Sequence, residues 1–294
     1  MSNLLKVDLF RFLKSKQFII ASIVSVLVAI FIPLLYFAIE KGLNAIIGST
    51  LEDGENAGQV LSIYAKDFAF AGIGSVNSLN GISISFIVTA ILFTVAIGKE
   101  FTFGIVRNKI IAGHSRVEIY LSLFITLYIF MFGIAFISSL IGFFTGILLF
   151  PYDADGNFFS DFIRILTHDF GNFMLGTLFG ALGYVFLTSF ICFFAIGLDK
   201  TALAIILSIL LSVMSLFICG VLIGPFIPVV AEYSDIWKNI MIFINTNNPF
   251  YSFNYFTLYG YKLYQILSFL ISPMCWSALL TFLGIVIFNK KDLK

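Results

Sequence analysis

Long apolar stretches alternate along this chain with short polar breaks, and none shows the period-two alternation of a barrel strand. Six stretches reach or approach the roughly 20 helical residues that a hydrocarbon core requires. They lie at 18–38, 82–98, 118–150, 172–198, 201–224 and 265–288, all rich in Phe, Leu and Ile. Only helices and closed barrels satisfy every backbone group in lipid, so the pattern predicts helices. The third stretch exceeds one crossing and is expected to tilt or project. Pro33 and Pro273 fall inside spans, and each removes a backbone donor, so kinks are expected there. The first stretch follows a basic segment, as a signal peptide would. It is too long for a signal core and has no small-x-small cleavage site after it, so it reads as a retained span.

Composition agrees. Of 294 residues, 60% are hydrophobic and 11% charged, with 37 Phe. A soluble domain holds about half apolar and a quarter charged residues. The expected class is an all-α integral membrane protein, one transmembrane domain over 1–294 with no dividing linker and no internal repeat. A net charge of +1 gives no electrostatic case for a nucleic-acid partner. Cys192, Cys219 and Cys275 lie in apolar runs without C-x-x-C spacing and read as packing residues.

Charge sets the expected orientation. With the N-terminus inside, the inner segments hold Lys6, Arg11, Lys14, Lys16, Lys99, Arg107, Lys109, Arg116, Lys200, Lys290, Lys291 and Lys294, twelve of the 17 cations. Lys41, Lys66, Arg164, Lys238 and Lys262 remain outside. This asymmetry puts both termini of a multi-pass cell-membrane protein in the cytoplasm. No Asp, Glu, Lys, Arg or His lies well inside any span. Transporters that harvest ion gradients place such groups there, so energy for uphill transport would have to come from elsewhere. An intramembrane hydrolase would need a His/Glu or Ser/His set at depth, whereas His114 and His168 fall in loops on opposite sides. No catalytic or metal-binding residue is expected. A phosphate loop is missing too: Phe93 stands five residues before Gly98-Lys99, and Glu100 follows.

The break after the second span, "GKEFTFGIVRNKIIAGHSR", gathers four cations and a histidine. Read as one helix from Glu100 to Ile111, it puts Phe103, Arg107 and Ile110 on one side and Gly104 and Asn108 on a neighbouring one. Such a helix suits a peg entering a groove on another protein, with Phe103 and Ile105 as anchors and Arg107 and Lys109 finding acceptors. Residue spacing alone leaves open the plainer reading, in which these cations obey the positive-inside rule and touch lipid headgroups.

The run "KEFTFGIVRNKIIAGHSRVEIYLS" resembles the segment after the second span of type-2 ABC exporter permeases. Those carry an acid, an aromatic and Gly-Thr-[Ile/Val]-Arg. The bacterial peptide-export and bacteriocin-immunity branch continues Asn-Lys-x-x-x-Gly-x-[Ser/Thr]-Arg. Glu100, Phe101, Gly104, Arg107, Asn108, Lys109, Gly113, Ser115 and Arg116 match, while Ile105 replaces the usual Thr. The resemblance implies that Glu100–Lys109 is a coupling helix docking into an ATPase subunit, with Glu100 holding it in place. It implies a dimer of six-span permeases, expected to be identical chains, with two copies of a cytoplasmic ATPase. ATP and Mg would sit on that partner and no cofactor on this chain. The cargo expected is a hydrophobic or amphipathic molecule leaving the cell, first a membrane-active peptide, then a drug or lipid. The rival from another class is an ATPase-independent channel or scaffold.

Other segments fit the same outline. Residues 1–17 read as an interfacial helix, with Leu5, Leu9, Phe12 and Leu13 on one face and Asp8, Arg11 and Ser15 opposite. The permeases have such a helix near the ATPase. Between spans five and six, Pro225 and Pro228 precede an aromatic belt that includes Trp237 and Tyr251. Short outer-face helices are common there in the family, with an Asn-Pro-Phe like Asn248, Pro249 and Phe250. That stretch reads as a headgroup belt or as the outer lid of a translocation path. Asp153 and Asp155 lack the later ligands of a calcium loop. Gly142/Gly146, Gly176/Gly180 and Gly220/Gly224 predict close helix approach.

Overall fold

In a computed structural model, the protein is described over residues 2–50, 78–79, 82–149, 170–197 and 263–291, with isolated helical positions between 203 and 240. Its elements are α1 (Ser2–Leu13), α2 (Lys16–Thr50), β1 (Ser78–Leu79), β2 (Ile82–Ser83), α3 (Ile84–Thr102), α4 (Ile105–Ile111), α5 (Arg116–Leu149), α6 (Phe170–Gly197) and α7 (Leu263–Lys290). Among the described residues, four segments are long and apolar enough to cross a membrane: Lys16–Gly42, Arg116–Leu149, Gly180–Gly197 and Ile271–Lys290. These residues are α-helical apart from one two-residue antiparallel pairing. Most of the stretch 201–224, the aromatic belt and Asn248, Pro249 and Phe250 lie outside the described residues.

Two boundaries differ from expectation. Helix α2 does not stop near residue 38 but runs past Lys41 and Gly42 to Thr50. The second apolar stretch opens with a bridge, Ser78 opposite Ser83 and Leu79 opposite Ile82, before helix begins at Ile84. Pro33 and Pro273 lie inside continuous helices.

Helix α5 is the central element. Its buried side chains, from Ile119 to Ile147, run almost its whole length. Helix α2 packs along it, α6 packs most extensively against α7, and α3 closes onto α2 and α6. The larger core joins Leu4 and Phe12 of α1, Phe93 and Ile97 of α3, Val106 of α4, Tyr120 and Leu127 of α5, Leu187 of α6 and Phe288 of α7. A smaller cluster forms near the other end of α5 around Phe143, Ile147 and Phe173. Exposed apolar side chains such as Ile23, Leu27, Phe31 and Leu148 cover the outer surface, as a lipid-facing bundle requires.

Several hydroxyls within the bundle turn back on their own helix. Thr177 donates to the Phe173 carbonyl at 2.8 Å, Thr188 to Tyr184 at 2.7 Å and Ser189 to Val185 at 2.9 Å. Ser189 also meets Ser277 at 2.5 Å and receives the Thr281 hydroxyl at 3.2 Å, which ties α6 to α7. Interhelical hydroxyl bonds of this kind contribute about 0.6 kcal/mol each in membrane bundles.

Candidate functional site: a buried ion cluster beneath helix α4

Between Gly98 and Glu118 the chain leaves α3, makes α4 and enters α5, and each step has a local cause. Helix α3 ends at Thr102, and Gly104 takes a left-handed conformation (φ +67°) that only glycine adopts without cost. The single helix expected from Glu100 to Ile111 is therefore broken at Phe103–Gly104, and Phe103 and Ile110 do not share a helical face. Helix α4 closes with a Schellman arrangement: Gly113 (φ +91°) donates to Ile110 at 3.0 Å and His114 to Lys109 at 3.2 Å. Helix α5 then opens with a capping box. The Glu118 amide donates to the Ser115 hydroxyl at 3.2 Å, and the Ser115 amide to the Glu118 carboxylate at 3.1 Å. Gly104, Gly113 and Ser115 thus each have a geometric reason to stand where they do.

Four charges meet under this turn. Lys109 on α4 is only 8% exposed. Its ammonium lies 2.8 Å from Asp8 of α1 and 3.1 Å from Glu100 of α3. Arg11 of α1 bridges the same acids, reaching Asp8 at 3.0 Å and pairing directly with Glu100. Ser122 of α5 donates to the second Asp8 oxygen at 2.7 Å. Two acids and two cations balance, so three helices are joined by a neutral cluster with a fourth supplying a hydroxyl. Buried charges persist only when paired and hydrogen-bonded in this way. Burial outweighs the pull of Lys109 and then Arg11, with Asp8 adding to it, and holds the Glu100 carboxyl above the usual carboxylate range.

The remaining cations of the break divide between two tasks. Arg116 donates to the carbonyls of Phe288 at 2.8 Å, Asn289 at 3.0 Å and Lys291 at 2.6 Å, capping the end of α7. Lys291 in turn donates to the Ile196 carbonyl at 2.8 Å, near the end of α6. A cation at a helix C-terminus satisfies orphan carbonyls and opposes the helix dipole. Arg107 and Lys99 are exposed.

The expected coupling residues separate accordingly. Phe103 (69% exposed), Arg107, Asn108 and Ile111 (74% exposed) form the outward surface. Val106 and Lys109 are buried, and Ile105 and Ile110 half-buried. Lys109 finds its acceptors inside its own chain, so it does not serve the outward face assigned to it with Arg107. Phe101 packs edge-on against Phe288, ring centroids 6.0 Å apart, with the Lys291 ammonium 5.4 Å from its ring. On α1, Phe12 is buried, Leu5 and Leu9 half-buried and Leu13 exposed. Asp8, expected on the solvent side of that helix, is fully buried. The true inward face is Leu4, Asp8 and Phe12, because the ion cluster rather than lipid sets the helix rotation.

Sequence reasoning gave neither Asp8 nor Ser122 a place in the site. A sequence signal for Asp8 existed: it is the sole acid of a cationic segment, and Glu100 is the sole acid of the cationic break. The S-x-x-E of Ser115–Glu118 was equally readable as a helix start. Among the described residues no three His, Cys, Asp or Glu side chains gather as metal ligands. No protein-family model and no curated protein matches the chain.

Proposed function

We propose that this chain is the transmembrane subunit of an ATP-driven exporter, with α4 as the element on which a separate ATPase acts. One observation carries the reading. Helix α4 and the turn before it show Phe103, Arg107, Asn108 and Ile111 outward, while the helix's inner face is bound through Lys109 to α1 and α3. A seven-residue helix has almost no stability of its own. Pinned this way, it transmits force to the helices beneath it instead of yielding. An aromatic beside an arginine is also the pairing most enriched at binding hot spots.

In this reading the α4 end faces the cytoplasm, the chain crosses the membrane six times, and two identical copies enclose the path. The ATPase, two copies with ATP and Mg, closes against α4, and Asp8 and Glu100 carry the movement to α1 and α3. The cargo is hydrophobic or amphipathic, in first place a membrane-active peptide, which suits an apolar bundle in which hydroxyls such as Thr177, Thr188 and Ser189 turn back on their own helices. The test is to capture the tagged, detergent-solubilised chain from its native membrane. A stoichiometric partner of about 25–35 kDa carrying a phosphate loop supports the reading. Recovery of the chain alone contradicts it and favours a channel or scaffold.

A further inference from the structure

Helix α1 has lost its only acid to the interior. From Asn3 to Gln17 the charged residues are Lys6, Asp8, Arg11, Lys14 and Lys16. Asp8 is fully buried among Lys109, Arg11 and Ser122, so the exposed charge of this segment is entirely positive. Lys6, Lys14 and Lys16 are exposed and Arg11 is 33% exposed. The same surface shows Val7, Phe10 and Leu13 at 60%, 59% and 49% exposure. Lys6, Arg11 and Lys14 line one open groove with Val7 and Phe10, and the Lys14 ammonium sits 4.2 Å from the Phe10 ring centre.

An apolar cleft of about 130 Å³ opens beside this groove, between α2 and α5, lined by Phe18, Ser22, Phe130, Gly133 and Ile137. Phe18 lines the cleft, and its amide donates at 3.2 Å to the hydroxyl of Ser15, which lines the groove, so the two openings adjoin at the turn between α1 and α2. A Cβ added at Gly133 would meet nothing within 4 Å, so this glycine leaves space instead of admitting a neighbouring helix. The occupant that fits has an anionic head and a long apolar tail.

We propose that the α1 groove and the α2–α5 cleft together bind one anionic phospholipid. Its phosphate lies against Lys6 and Lys14, and an acyl chain enters beside Gly133. Juxtamembrane cations attract anionic headgroups individually, and an amphipathic helix supplies the apolar contact that holds them at the interface. The proposal rests on α1 lying at a bilayer surface and does not depend on the ATPase partner.

The test is native mass spectrometry of the detergent-purified full chain, titrated with dioleoyl phosphatidylglycerol or dioleoyl phosphatidylcholine. The wild-type chain should retain phosphatidylglycerol in preference to phosphatidylcholine. K6Q/K14Q should weaken phosphatidylglycerol retention roughly tenfold to thirtyfold, the effect of two surface cations, and leave phosphatidylcholine unchanged. G133L should fill the cleft and weaken both lipids. All three positions are accessible, so an unchanged melting temperature serves as the fold control. Undiminished phosphatidylglycerol binding in K6Q/K14Q overturns the site. An equal loss in K290Q, which removes an exposed cation of α7, also overturns it, because net charge would then suffice. K6Q/K14Q losing a bound protein while keeping its lipid would assign the face to a protein partner and overturn the proposal as well.

Discussion

At the α4 end of the bundle, Asp8, Arg11, Glu100 and Lys109 satisfy one another across three helices. In the middle, Thr177, Thr188 and Ser189 satisfy themselves on carbonyls one turn back in their own helix. In the second arrangement Thr177 and Thr188 keep their bonds within α6, and parting α6 from α7 would lose weak, uncharged contacts such as those of Ser189 with Ser277 and Thr281. The first differs: pulling α1 or α4 away strands a charge. The bundle is therefore locked by charge at the α4 end and held by weaker, uncharged contacts along α6.

The largest effect should come from breaking the cluster unevenly. K109M leaves Asp8 and Glu100 with Arg11 alone and should cost about 3–5 kcal/mol, read as thermal unfolding in detergent. Replacing all four charges by apolar residues should cost less than K109M by itself, because no charge is then stranded. A quadruple variant much less stable than K109M would show that the pairs contribute in their own right. A steric weak point lies at the same end of the bundle, where α7 passes Tyr120 near the start of α5. A Cβ at Gly284 would overlap the Tyr120 ring, with Cζ 2.8 Å away. Tyr120 is fully buried and has nowhere to move, so G284A should cost about 1–3 kcal/mol in the same assay.

A smaller effect distinguishes the two acids. E100Q leaves the excess positive charge on Arg11, which is a third exposed, so its cost should be roughly 1–2 kcal/mol, less than K109M. Its pH signature has a fixed sign. Burial raises the folded-state pKa of Glu100 above the ordinary 4.5, so folded protein holds a proton that the unfolded chain has already released. The stability this group contributes is fully present below 4.5 and is lost as pH rises through the folded value. Thermal scans at stepped pH should show that decline in the wild-type chain and its absence in E100Q.

Much of the scaffold was legible in the sequence. Apolar length placed α5, α6 and α7 within about two residues of their ends, because a helix in lipid is set by a one-dimensional quantity. What was hidden involved two segments at once. Helical-wheel reasoning put Asp8 on the polar face of α1, and nothing within residues 2–13 could reveal that Lys109, far along the chain, would draw it inward. The break at Gly104 was hidden for a related reason: a glycine inside an amphipathic run is tolerated or bent according to what α3 and α4 pack against. The apparent redundancy of cations in the break resolves once their partners are visible. Lys109 belongs to the ion cluster and Arg116 to the end of α7, which leaves Lys99 and Arg107 exposed, Arg107 on the outward surface with Phe103.

That surface is where the account is most exposed to test. F103A/R107A removes the outward aromatic and cation without touching the cluster, so stability should change by no more than about 0.5 kcal/mol. The decisive measurement is the amount of phosphate-loop ATPase recovered with the tagged double variant, compared with wild-type chain from the same membrane. The account predicts a normally inserted, normally stable chain that has lost the ATPase. Wild-type recovery with F103A/R107A would contradict it and remove α4 as the docking element.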